Sequence, residues 1–382
     1  MRICYISTYP PTECGIATYT QFLSDAMKSL EKEVVIVSQE GAKGDNVFPT
    51  FSPQDHNIAM KMFEVTAKLT PDVVHIEHEY GLFGSGRGVQ IVDFLIRCRL
   101  FNLPVVMTLH TVYDKLDVYE KMLLENFMLN SSAIIVHEKY QKEVLVRHFG
   151  SADKIHVIPH GIRQCKRYPN AKKLLGLEKK KVALLIGYFR PTKRFDRIVK
   201  IFPKVVERNK DAVLLIAGKV RGVDFPEYQN NFFEEINNSP VRDNILVLRG
   251  QFPQHTFDII MSAADLIAMP YTVGSQSGIL AQSSAFYLPA VTSDLLSFEK
   301  WNEEIKGGLT AYNDDDFVDH ICKILSDEDF AKQLENNIIE NTKPYKWSEL
   351  AKKHILVYES VINVPYGKAR YFYIPEDQEK PC

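Results

Sequence analysis

Residues 182–207 read VALLIGYFRPTKRFDRIVKIFPKVVE. The run opens on apolar, β-prone residues, as a strand buried on both faces requires. Gly187 permits a tight exit, Pro191 stiffens a short basic loop, and from Lys193 the apolar residues recur at helical spacing. A buried strand, a loop and an amphipathic helix in that order make half of a βαβ unit. Where the unit repeats, a parallel sheet follows.

The unit does repeat. Downstream, strand-like runs lie at Val213–Ala217, Ile245–Leu248, Leu266–Met269 and Ala290–Thr292, with helical patterns at Lys193–Glu207, Gln254–Ala263, Gly278–Phe286, Asp315–Leu325 and Phe330–Thr342. Upstream, strands are expected at Ile3–Ser7, Val34–Ser38, Val73–Ile76, Val105–Leu109, Ile134–Val136 and Ile155–Ile158. Helices are expected between them at Ile16–Leu30, Asn57–Leu69, Val89–Leu100, Tyr119–Leu129 and Lys139–Phe149. The rhythm breaks at Pro159-His160-Gly161, and a polar, basic stretch runs from Arg163 to Lys181. The expectation is therefore α/β, with Rossmann-like domains at 1–160 and 161–346. A last helix near Trp347–Ile362 opens a terminal segment, 347–382, that returns to the first domain. The tail after Pro365 is expected to be irregular, and no short-period repeat is present.

Composition narrows the class. A chain of 382 residues with 45% hydrophobic and 25% charged content has ordinary globular proportions and can build a full core. A formal net charge of -2 gives no sign of a protein built to coat nucleic acid or an anionic membrane, although a local basic surface is compatible with it. The six cysteines are dispersed without a C-x-x-C pair, which favours reduced thiols in the cytoplasm over zinc or a disulfide framework. MRICYISTYPP is too short for a secretory apolar core and reads as a first strand. No run approaches the roughly 18 apolar residues of a membrane-spanning helix, so a soluble protein is expected.

In open α/β sheets, ligands sit beyond the carboxyl ends of the strands. Arg190 offers planar donors there and Lys193 a compact charge, a pair suited to a diphosphate, although a solvated basic loop has the same composition. Gly274-Ser275-Gln276-Ser277-Gly278-Ile279-Leu280 leads small residues into a helix, where backbone N–H groups and the helix dipole favour phosphate. Plain N-capping by Ser277 would read the same way. His110 ends the strand Pro104–Leu109, placed either to bond a sugar hydroxyl or phosphate or to serve the fold. Between His75 and Glu79 two His and two Glu crowd together, but alternation along a strand splits them between faces, so no metal is expected and Glu79 is assigned to the acceptor side with Tyr80. Gly15 opens a helix where a ligand can approach backbone. No G-x-G-x-x-G with its acidic partner follows, and a nicotinamide cofactor is not expected. Asp314-Asp315-Asp316 reads as a capping turn, and Lys179-Lys180-Lys181 as solvated charge.

Taken together, the motifs resemble the retaining GT-B glycosyltransferases of the GT4 family, from Met1 to about Ile362. Asp72–Gly84 resembles one branch's D-V-V-x-I-Q-H-E-Y-G-I-F-G, and Pro104–Val112 its P-V-V-x-T-L-H-T-V strand. Val157–Ile162 is similar to the V-I-P-N/H-G-V linker, and Gly187–Lys193 to the G-x-x-R-P-x-K-G phosphate loop. Ala264–Pro270 resembles the A-A-D-V-x-x-x-P strand, and Trp347–Tyr358 the final W-x-x-x-A-x-x-x-x-x-x-Y helix. The resemblance implies two sheet domains facing across a cleft, with a nucleoside-diphosphate sugar as donor and a glycan or glycoconjugate as acceptor. It implies a hexose, mannose or glucose by precedent, moved with retention and without metal or organic cofactor. Arg190 and Lys193 would neutralise the diphosphate and His110 would face the sugar. Gly187, Gln276, Ser277, Gly278 and Ile279 would cradle the diphosphate, Arg249 and Gly250 would approach the base, and Gly15 would line the donor.

The chain departs from the pattern at three places. Aligning the family's proline with Pro289 puts Gln282 and Gly274 where paired glutamates usually stand, and Arg194 replaces a glycine. Gln282 can still bond ribose hydroxyls. Two other readings fit: a non-catalytic nucleotide-sugar-binding partner subunit, or a hydrolysing epimerase using Glu79 or Glu13. Peripheral membrane contact through Arg163–Lys181 is a further expectation.

Overall fold

The computed structural model describes residues 1–12, 14–219, 225–250, 252–274 and 278–362. The chain forms two compact units, Met1–Gly161 rejoined from Trp347 onward, and Ile162–Lys346.

The first unit runs β1 (Arg2–Ser7), α1 (Gly15–Ser29), β2 (Glu33–Gln39), β3 (Val47–Phe51), α2 (Ile58–Leu69), β4 (Val73–His78), α3 (Ser85–Gly88), α4 (Ile91–Leu100), β5 (Val105–Leu109), α5 (Val118–Asn130), β6 (Ala133–Val136), α6 (Lys139–Phe149) and β7 (Ile155–Val157). Its seven strands pair in parallel in the order β3-β2-β1-β4-β5-β6-β7. Alternation along β1 divides the core. Cys4 and Ile6 face the layer of α2, α4, α5 and α6, and Ile3 and Tyr5 face α1. A last helix, C-terminal to the second unit, belongs to this second layer.

The second unit runs α7 (Ala171–Leu174), β8 (Lys181–Tyr188), α8 (Phe195–Arg208), β9 (Ala212–Lys219), α9 (Pro226–Asn237), β10 (Ile245–Arg249), α10 (Gln254–Ala263), β11 (Leu266–Met269), α11 (Gly278–Ala285), β12 (Ala290–Ser293), α12 (Leu296–Ile305), β13 (Gly308–Ala311), α13 (Asp314–Ser326) and α14 (Glu328–Asn341). Its six parallel strands take the order β10-β9-β8-β11-β12-β13, so the strand order reverses between β8 and β11. Helix α15 (Trp347–Ile362) follows and packs Leu350, Ala351, Tyr358 and Val361 into the α1 side of the first sheet.

Six elements lie outside the expected pattern: β3, β13, α9, α12 and the four-residue helices α3 and α7. The acidic run does open a helix, since Asn313 accepts from the Asp316 N–H at 2.9 Å and α13 starts at Asp314. The basic stretch from Arg163 to Lys181 is folded into the second unit by ion pairs, among them Arg163–Asp258 at 2.7 Å, Arg167–Glu335 at 3.0 Å and Lys172–Asp265 at 2.7 Å.

Candidate active site

The reversal between β8 and β11 leaves a crevice beyond their carboxyl ends, and the sequence puts two cations there. Gly187, the penultimate residue of β8, takes a φ of +137°, and open space surrounds the place of its missing Cβ. Gly218 on β9 lets the strands close up, since a Cβ there would meet the Gly187 carbonyl oxygen at 1.9 Å. After β8, Arg190 leads into a single 3-10 turn, Pro191–Lys193, and Arg194 enters α8 with a left-handed φ of 47°.

The loop after β11 is tied to this turn. Thr272 donates its backbone N–H to the Thr192 carbonyl at 3.0 Å, and Lys193 Nζ lies 3.5 Å from the centroid of the Tyr271 ring. Burial pushes the Lys193 ammonium down to about 7, and the neighbouring Arg190 charge adds to the effect. Arg190 also lies over the Tyr188 ring, at 5.8 Å.

The remaining donor candidates divide. Gly278 and Ile279 open α11, after the loop that Thr272 anchors. Gln276 and Ser277 lie outside the described residues. Gln282, on α11, has its side-chain oxygen accepting from Arg163 Nε at 2.9 Å, which leaves its amide N–H groups as the part able to meet a ligand. Arg249 ends β10 exposed, with its guanidinium 4.4 Å from the Phe233 ring, and Gly250 follows at φ +150°.

In the first unit, Gly15 starts α1 exposed, with nothing within 4 Å of its missing Cβ. Glu79 and Tyr80 follow β4. Glu79 accepts from the Tyr80 N–H at 2.9 Å and from Thr111 Oγ1 at 2.7 Å, holding the chain after β4 against that after β5. Tyr80 stacks on Tyr113 with centroids 6.4 Å apart. Glu13 lies outside the described residues.

His110 is enclosed by the first unit. It is 1% exposed, with Nε2 2.9 Å from Glu77 Oε2 and Nδ1 3.3 Å from His137 Nε2. Beyond it, His137 Nδ1 lies 2.9 Å from the Ile158 carbonyl. In the other direction Glu77 Oε1 is 3.5 Å from His75, which bonds Thr108 at 2.7 Å and Tyr358 of α15 at 2.5 Å. The chain of bonds fixes protons. The Ile158 carbonyl only accepts, so His137 Nδ1 carries hydrogen. Burial holds His137 far below its ordinary pKa and thus neutral, so its Nε2 accepts. His110 Nδ1 must then be the donor, and its Nε2 faces Glu77. Burial raises the Glu77 carboxyl.

Sequence reasoning missed Glu77, His75, His137 and Tyr358. The alternation that split His75–Glu79 between faces was the usable signal, because it leaves His75 and Glu77 on one side. His78, on the other side, is buried against Phe83 and Phe127 and pushed down to about 3 by burial. Among the described residues no three His, Cys, Asp or Glu side chains converge as a set for a metal ion.

Two Rossmann-like units in one chain, the second with a cationic turn at its strand-order reversal, define the GT-B class. The model of Glycosyltransferase Family 4 matches residues 14–164, and that of Glycosyl transferases group 1 matches residues 168–343. The chain belongs to the GT4-type GT-B glycosyltransferases. It is 22% identical to the alpha-monoglucosyldiacylglycerol synthase of Acholeplasma laidlawii, over 95% of this chain and 98% of that one. Sucrose-phosphate synthase from Thermosynechococcus elongatus shares the fold at a TM-score of 0.77 and 16% identity, covering 95% of this chain and 99% of that one. So does Anabaena HepE, solved in complex with UDP-glucose, at 0.71 and 14%, covering 94% of this chain and all of that one.

Proposed function

We propose that this glycosyltransferase moves a hexosyl group from a nucleoside-diphosphate sugar to a lipid hydroxyl or glycan, with retention and without a metal or organic cofactor, in the cytoplasm. The second unit holds the donor and the first takes the acceptor. The observation that carries this is the Arg190–Lys193 turn. Negative charge grows on the leaving diphosphate as the glycosidic bond breaks, and fixed cations beside it stabilise that transition state more than the ground state. Lys193, whose ammonium burial holds near 7, regains its proton as a phosphate arrives. The bound ligand of HepE supports UDP-glucose as the donor type, and the name of the Acholeplasma relative supports a lipid acceptor. Gln282 meets the ribose through its amide alone.

Buried with its ring nitrogens engaged, His110 acts here through position and field and not as a proton donor to the sugar. The test is incubation with UDP-glucose or GDP-mannose and a diacylglycerol or glycan acceptor, with and without EDTA, reading the anomeric configuration by NMR. An α-linked product insensitive to EDTA is expected, with turnover about 10² to 10³ lower in Arg190→Ala. An inverted linkage, or full loss with EDTA, would refute it.

A further inference from the structure

Helix α5 presents an unusual balance of surfaces. Leu123, Leu124, Phe127 and Met128 fill the core, yet the opposite face is also apolar, carrying Val118, Tyr119, Met122 and Leu129. A helix that is apolar all round ordinarily has a medium to bury it on every side. Here one side meets water, with Tyr119 73% and Leu129 64% exposed. The end of the neighbouring α4 continues the patch, with Leu100 at 74% and Phe101 at 68%. Among the described residues, nine of the fifteen exposed large apolar side chains lie on this one layer of α2, α4 and α5 and the turn before α4. Scattered exposed apolar residues need no explanation, but a contiguous patch marks an interaction surface.

The charges around it choose the partner. Arg99 donates to the Leu129 carbonyl at 3.4 Å and to Asn130 Oδ1 at 3.3 Å, and Lys154 caps the Met128 carbonyl, so two cations flank Leu100 and Leu129 at the end of α5. Arg97 lies beside Met60 and pairs with Asp93, and Arg87 pairs with Asp117. Lys121 is exposed next to Met122, and Glu125 is an exposed acid on the same helix. Apolar and aromatic side chains in the middle, with arginine and lysine at the rim, are what a lipid interface accepts: rings and aliphatic chains enter the acyl boundary while cations reach headgroup phosphates. No helix among the described residues is long and apolar enough to cross a membrane, so the contact is peripheral.

We infer that the outer face of α4 and α5 docks the protein onto an anionic lipid bilayer. The inference extends the lipid-acceptor reading, but its test does not depend on turnover. The full chain is sedimented with vesicles of phosphatidylcholine alone and of phosphatidylcholine with phosphatidylglycerol, at low and high salt. Binding is expected to the anionic vesicles and to weaken with salt. Leu100→Glu with Met122→Glu lowers the bound fraction by about tenfold or more, with melting temperature unchanged, since both side chains face water in the free protein. Arg99→Gln weakens binding and Glu125→Gln strengthens it. Absence of vesicle binding in the wild type, equal binding to both vesicle types, or binding unaffected by the double variant would overturn the inference. So would a dimer by light scattering that the double variant disperses, which would make the face a contact between copies. If vesicles bind as described but no lipid is ever glycosylated, the surface stands and the acceptor reading falls.

Discussion

Lys193 turns the proposed donor site into something a pH titration can read. Its ammonium is held near 7 in the folded protein against 10.5 for an unperturbed lysine. Between those values the unfolded chain binds a proton that the folded chain does not, so this group makes stability rise with pH across that window. Diphosphate binding reverses the penalty by returning the proton. Affinity for UDP should therefore fall as pH rises above 7, by at most about tenfold per unit, with proton uptake visible by calorimetry in buffers of different ionisation enthalpy. Lys193→Met should abolish both the uptake and the slope. Glu77 titrates with the opposite sign. Its carboxyl is raised by burial, so its penalty on stability grows as pH climbs above 4.5. Glu77→Gln, the residue of the branch pattern it resembles, should leave the fold intact and gain on the wild type as pH increases. Glu77→Ala, which empties the space between His75 and His110, should cost about 3 kcal/mol in urea unfolding. At this scale the sequence was half legible. The basic turn stood out because charge after a buried strand is conspicuous, whereas the network around His110 is assembled from β4, β5, the turns after β6 and β7, and a distant helix.

Elements depend on single contacts that the chain order hides. Gly218 is the clearest case: a methyl group at that position meets the Gly187 carbonyl, which is backbone and cannot swing away. Gly218→Ala should destabilise the second unit by about 2–4 kcal/mol and loosen the turn carrying Arg190, seen as lower stability in urea together with weaker nucleotide binding. Arg194 stands where the resembled pattern has glycine, and its φ of 47° supplies the reason for that glycine. The ion pairs from Arg197, Lys204 and Arg208 of α8 to Asp314, Asp315 and Asp319 of α13 lie on the surface, where water and salt screen them, so they add little to stability. Buried central strands were legible because both faces must be apolar. The edge strands β3 and β13 were not. β3 contains Pro49, tolerated at an edge where one set of backbone groups has no neighbour, and β13 is four residues long. Helix α9 buries only Phe232 and Ile236, too few apolar residues to show a period.

At the scale of the molecule, buried imidazoles set an acid limit. His75, His78, His137, His160 and His354 are all held below their ordinary value, chiefly by burial, and all belong to the first unit. Each binds its proton more readily once unfolded, so stability is complete above about pH 6.5 and is lost as pH falls through it, at up to about 1.4 kcal/mol per unit for each group. Hydrogen exchange between pH 7.5 and 5 should show the first unit opening before the second. The two-unit architecture was legible from the break at Pro159-His160-Gly161. The reason for Gly161 was not, because it lies in packing: a Cβ there would meet the Trp347 ring at 2.3 Å, and Trp347 is 186 residues away in sequence.

The central claim is that the Arg190–Lys193 turn holds the diphosphate of a nucleotide sugar. A thermal-shift panel of UDP, GDP, ADP and their sugar conjugates tests it most directly, since a ligand that binds only the folded state raises the melting temperature. A clear shift with one nucleotide, lost in Arg190→Ala while that variant's own melting temperature is kept, is the expected result. No shift with any nucleotide, or a shift that survives Arg190→Ala, would contradict the account.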